Sequence, residues 1–172
     1  MAADGAPGLR PVTAWLLPLP GGWHVAVGEA ELTHILPDPP RLFPVPGAPQ
    51  HCRLALLWEA EPLPLMELHR RLGGRTVDTG GDEAGDGPGV VAVVAFREHD
   101  RAPVSHGALR LAGIPVRAAV TDADACPVPP GLLADGTLTA SCFEHPAHGP
   151  VPVLDLEAVF RGPGEPSTTR IP

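Results

Sequence analysis

No apolar run in this chain is longer than the seven residues 90–96, and almost every run stops at a glycine, a proline or an aspartate. That punctuation leaves room for strands of four to eight residues. It does not suit amphipathic helices, whose apolar positions recur every third or fourth residue over ten or more. The runs at 12–17, 23–27, 53–58, 63–68, 90–96, 108–111, 116–121, 138–143 and 151–156 read as strands. Helical material is limited to a short turn near 29–34 and to the first turns after Leu68 and Leu156. Many short strands between turn residues predict an all-β domain built as barrels or a sandwich.

The 24 prolines and 20 glycines among 172 residues come close to the proportion that signals disorder. Leu, Ile, Val and Phe, however, make up about a quarter of the chain, above the roughly 20% below which no core can form. The punctuation therefore separates strands, and the length fits one domain. No run approaches the ~20 apolar residues that span a bilayer, so direct membrane insertion is not expected. The stretch 15–19 is too short for a secretory segment and is broken by Pro18, which places the chain in the cytoplasm. Three cysteines, Cys52, Cys126 and Cys142, follow no disulfide-framework spacing and suit a reducing compartment.

Net charge is −8, and the twelve basic residues are scattered arginines with no stripe to neutralise a phosphate backbone. Nucleic acid is excluded as a partner. The complete lack of lysine removes a P-loop, a kinase-type nucleotide lysine and Schiff-base chemistry. There is no asparagine or tyrosine, and Ser105, Ser141 and Ser167 lie outside any G-x-S-x-G elbow. This inventory argues against an enzyme.

The chain echoes itself. Glu61-Pro-Leu-Pro-Leu-Met-Glu-Leu-His-Arg-Arg-Leu72 and Gly149-Pro-Val-Pro-Val-Leu-Asp-Leu-Glu-Ala-Val-Phe160 share one pattern, x-P-h-P-h-h-[DE]-L. Each reads as a strand entering a helical turn, with Glu67 or Asp155 capping the turn. Between the copies, residues 73–89 are dense in Gly and Asp and read as a flexible linker. The organisation expected is a flexible N-terminus over 1–11, one domain over 12–160 and a frayed tail over 161–172. The domain divides into a subdomain at 12–72 and another at 90–160.

The stretch Pro40-Arg-Leu-Phe-Pro-Val-Pro-Gly-Ala-Pro49 and the ending Met66-Glu-Leu-His-Arg-Arg-Leu-Gly73 resemble the CheW-like domain of bacterial chemotaxis coupling proteins. That family reads P-V-P-x-A-P, then N-L-R-G, then P-V-[IV]-D-L-R-R-R-L-G. The resemblance extends loosely over 12–160. It implies two five-stranded SH3-like β-barrel subdomains packed together, no catalysis and no cofactor. It also implies binding to a CheA-type histidine kinase and to chemoreceptors, in chemotaxis or in type IV pilus (twitching) signalling. The alternatives are a scaffold that has lost kinase coupling, or a barrel binding a small molecule or metal. Where the family has N-L-R-G, this chain has Leu57, Trp58, Glu59 and Ala60. The protein-binding edge implied by the resemblance comprises Leu32, His34, Ile35, Trp58, Glu59 and Ala60, with His34 and Glu59 forming a polarity-reversed version of the family's acid–Arg pair.

Other constellations have plainer readings. Cys142, His145 and His148, with Cys126 or His51, have the residue types of a zinc site. Strand alternation, however, puts Cys142 and His145 on opposite faces, and no metal is expected. Cys52 and His51 are adjacent and point apart, which disfavours a nucleophile and base. Asp122 and Asp124 read as turn formers. Trp15 and Trp23 are expected to fill the first barrel, and Trp58 to anchor a partner.

Overall fold

The structure, a computed structural model, describes residues 10–38, 41–71, 89–130 and 136–161. The expected 73–89 linker, the N-terminus before Arg10 and the tail after Arg161 lie outside the described residues, apart from Gly89. The strands are β1 (Val12–Leu19), β2 (Trp23–Gly28), β3 (Leu32–Leu36), β4 (Leu42–Pro44), β5 (Leu54–Trp58), β6 (Glu61–Met66), β7 (Val90–Phe96), β8 (Ser105–Leu111), β9 (Val116–Val120), β10 (Thr139–His145) and β11 (Gly149–Leu154). Two single-turn helices, α1 (Leu68–Arg71) and α2 (Leu156–Phe160), follow β6 and β11, where the echoed motif places them.

The strands form two curled sheets, and the all-β expectation holds. The first has the order β10-β11-β2-β1-β9, the second β3-β7-β8-β6-β5-β4. The second sheet has six strands rather than five because the three-residue β4 pairs with β5 at its edge.

Each sheet takes strands from both halves of the chain. Hairpin β1–β2 joins β9, β10 and β11, while hairpin β7–β8 joins β3, β4, β5 and β6. The subdomains are therefore not the consecutive stretches 12–72 and 90–160. The two sheet orders correspond strand for strand, with β1, β2, β3, β5 and β6 matching β7, β8, β9, β10 and β11, and α1 matching α2. Both parallel contacts fall at the same register. Leu65 of β6 pairs with Ala108 of β8, and its echo partner Val153 of β11 pairs with Ala26 of β2.

Burial follows from this arrangement. The outer side of each central strand fills its own barrel, and the inner side fills a shared core between the sheets. In β7, Val91 and Val93 face the second barrel with Leu56, Leu63, Leu65 and Ala108. Ala92 and Val94 face the shared core with Leu17, Val25, Val27 and Leu109. In β1 and β2, Leu16 and Ala26 line the first barrel with Phe143 and Val151. A strand buried on both faces reads as a continuous apolar run, which accounts for the seven residues of β7. Helix α2 seals one end of the shared core. Phe160 stacks on Phe96 at 5.0 Å and lies over Gly107, where any Cβ would come within 2.3 Å of the ring. Arg71 of α1 donates to the carbonyls of Val159 and Ala158, linking the two echoed units.

Three local expectations change. The segment near 29–34 is a turn into strand β3 rather than a helical turn. A register shift between Leu32 and His34 breaks the alternation that would have marked it as a strand. Asp155 caps α2 by accepting from the Ala158 amide, as the motif predicts. Glu67 does not cap α1; its carboxylate is buried among arginines. Trp15 and Trp23 do not fill the first barrel. Trp15 and Trp23 lie on β1 and β2 against the shared core, and Trp58 packs on the core of the second sheet.

Candidate functional site

The hairpin β5–β6 turns on two residues, Glu59 and Ala60, because Trp58 pairs directly with Glu61. Both turn residues have positive φ, 48° and 68°, as a type I′ turn requires. Such turns prefer Asn-Gly, since a side chain in the left-handed region costs about 1–2 kcal/mol.

Trp58 begins this corner. Its indole is half-buried between two imidazoles, with His34 meeting it edge-on at 5.1 Å and His106 tilted against it at 5.1 Å. His34 lies on β3 and Trp58 on β5, with β7, β8 and β6 between them in the sheet. Their contact shows how far the second sheet curls, and it brings together two of the residues singled out from sequence. The remaining four are arranged differently. Glu59 and Ala60 are exposed at the turn, Ile35 is half-buried, and Leu32 packs against the shared core. Among the described residues no ion pair joins His34 to Glu59. The histidine contacts Trp58 instead.

Next to this corner is an apolar surface that the sequence reading did not single out. Phe43 pairs with Ala55, which places Phe43 and Leu57 on the same outer face of β4 and β5. Pro62 and Pro64 of β6 pair with Leu57 and Ala55 and extend that face. Phe43 is 36% exposed and Leu57 54%. Strict alternation in β5 carries the signal, since Leu54 and Leu56 already supply the inward side. A half-buried indole, an exposed leucine and phenylalanine and two prolines provide shape and apolar area rather than reactive groups.

Two further clusters stand apart from this face. His148 stacks on His24 at 3.7 Å and on His145 at 4.8 Å, beside an open hollow of about 340 Å³ lined by Gly21, Gly22, Trp23 and Pro150. Burial, then the proximity of His148, holds His24 below the usual histidine range. The rings lie nearly parallel, and among the described residues no three His, Cys, Asp or Glu side chains are arranged to hold a metal ion. Under β6 and β8, the Glu67 carboxylate faces Arg110 at 3.4 Å, Arg70 at 3.3 Å and Arg53 at 3.7 Å. These distances are long for hydrogen bonds, so the cluster is held mainly by charge.

Two curled sheets that exchange strands and share a core define a CheW-like all-β fold. Among solved structures, the chain is similar to the scaffolding protein TtCheW from Thermoanaerobacter tengcongensis, with a TM-score of 0.69 and 12% sequence identity. The match covers 90% of this chain and 96% of that one. No protein-family model matches the chain, and no curated protein matches it. Among the described residues no helix is long and apolar enough to cross a membrane.

Proposed function

We propose that this protein is a non-enzymatic signalling adaptor that couples chemoreceptors to a CheA-type histidine kinase. It serves chemotaxis or type IV pilus signalling and works in the cytoplasm, recruited to receptor arrays. The observation that carries this reading is the outer face of β4, β5 and β6, where Phe43, Leu57, Pro62 and Pro64 adjoin the Trp58 corner on a CheW-like fold. Aromatic anchors such as indoles at the centre of a contact contribute most of its energy, surrounding apolar contacts exclude water, and the rim is polar. Glu59, on the rim, gives this edge an acidic residue where the family pattern has arginine. Each contact is small, and an array makes small contacts effective by presenting many at once.

The test is recovery of partners from the protein's own cells on tagged wild type, Leu57→Glu and Glu59→Arg. Both substitutions are at exposed positions and leave the melting temperature close to wild type. The kinase accompanies the wild type and is lost with Leu57→Glu, while Glu59→Arg weakens its recovery. Equal recovery on all three, or no kinase on the wild type, overturns the assignment. Receptors recovered without kinase select the alternative, a scaffold that has lost kinase coupling.

A further inference from the structure

The first sheet has two edge strands, β9 and β10, and the chain joins them. After β9 the segment turns through Asp122–Asp124, where the Thr121 amide and hydroxyl both donate to the Asp124 carboxylate, and runs alongside β10. A single antiparallel bridge, Ala125 to Phe143, and one amide hydrogen bond, Cys126 to the Cys142 carbonyl at 3.0 Å, close the barrel there. On this seam the sulfur atoms of Cys126 and Cys142 are 3.4 Å apart, although they lie sixteen positions apart in sequence. Both cysteines are free in the structure.

We propose that Cys126 and Cys142 are a modification site, a dithiol that a peroxide converts to a disulfide stapling the seam of the first barrel. The Ala125–Phe143 bridge and the Cys126 amide bond to the Cys142 carbonyl set the two cysteines opposite each other. Residues opposed in an antiparallel pair have Cα atoms about 4.5–5.5 Å apart, and a disulfide accommodates about 4.4–6.8 Å. The sulfurs, 3.4 Å apart, lie a short movement from the bond length of about 2.0 Å.

The two sulfurs have different roles. Cys126 is half-exposed and Cys142 is buried, so an oxidant reaches Cys126 first. Burial, then the contact with Cys126, pushes the Cys142 thiol up to about 12, so it remains protonated until it reacts. Cys126 sulfur attacks one peroxide oxygen, the O–O bond breaks, and a sulfenic acid and water form. Cys142 sulfur then displaces the sulfenic hydroxyl, the S–S bond forms, and the Cys142 proton leaves with that hydroxyl as a second water. Two thiols are oxidised and one hydrogen peroxide is reduced to two waters. Cys52 packs against the shared core and takes no part.

The experiment treats the reduced full chain with a small excess of hydrogen peroxide, counts free thiols, measures intact mass and maps peptides without reduction. Thiols fall from three to one, the mass falls by two hydrogens, and one linked peptide pair joins Cys126 to Cys142. Dithiothreitol restores all three thiols, and the Cys126→Ser variant gains oxygen or dimerises instead of losing two hydrogens. Three thiols persisting in the wild type, or a link through Cys52, overturns the proposal.

Discussion

Replacing Glu67 by glutamine removes the negative charge from a cluster that also holds three arginines, and the cost can be worked from exposure. The Glu67 side chain is 1% exposed, Arg110 9%, Arg70 35% and Arg53 43%. Arg53 and Arg70 can turn toward water, and each contributes no more than a surface pair, about 0–1 kcal/mol. Arg110 on β8 is nearly buried and loses the charge of the carboxylate that faces it, and removing one partner of a buried pair costs about 3–5 kcal/mol. The expected destabilisation of Glu67→Gln is therefore about 3–5 kcal/mol, read from urea unfolding at neutral pH. Most of it persists in 1 M salt, because buried charges are screened little. Adding Arg110→Met recovers much of the loss, since it removes the buried charge that has lost its carboxylate. At the echoed position, Asp155→Ala costs only a cap, about 1 kcal/mol. A Glu67→Gln effect below about 1 kcal/mol, or a double variant no more stable than the single, would refute the argument that Arg110 depends on this carboxylate.

Two further results follow from local geometry. Converting the β5–β6 turn to Asn-Gly through Glu59→Asn and Ala60→Gly relieves two left-handed side chains and raises stability by about 1–2 kcal/mol in urea titrations; an unchanged or lower midpoint contradicts the type I′ assignment. Stability also falls as pH drops from about 6.5 toward 5, because His24, His51 and His69 are all held below the usual histidine range, chiefly by burial. With depressed folded-state values these groups add stability above the unfolded-state value, and it is lost as pH falls through the folded one. Thermal melts across that range show the slope, His24→Gln reduces it, and a flat or rising profile counts against the reading.

Strand positions and fold class were legible in the sequence because a strand buried on both faces spells a continuous apolar run, as β7 does. The echoed motifs after β5 and β10 placed both helical turns for the same local reason, a buried strand ending at an acidic residue. Strand exchange was not legible. The pairing of β2 with β11 depends on residues more than a hundred positions apart, and apolar pattern carries no record of which barrel a strand joins. Strand β3 was misread because its register shift put Thr33 and His34 both outward, breaking the period of two. For the candidate site, family likeness brought out Trp58, Glu59 and Ala60, yet the face formed by Phe43, Leu57, Pro62 and Pro64 emerged only from pairing register. Sequence grouped Cys126 with Cys142 only as candidate zinc ligands, and their sulfur contact was not legible because it arises where a barrel closes.

The exchange of strands sets a timetable for folding. In the first sheet β11 is inserted between β10 and β2, so the hairpin β1–β2, made early in synthesis, lacks its parallel neighbour until residues 149–154 have emerged. The second barrel can assemble once β8 arrives, but the first needs nearly the whole domain. Its apolar hairpin faces water, or a chaperone, through most of translation. A long wait for distant partners slows folding and exposes strand edges meanwhile, so the yield of native protein depends on how quickly the ribosome delivers the last strand.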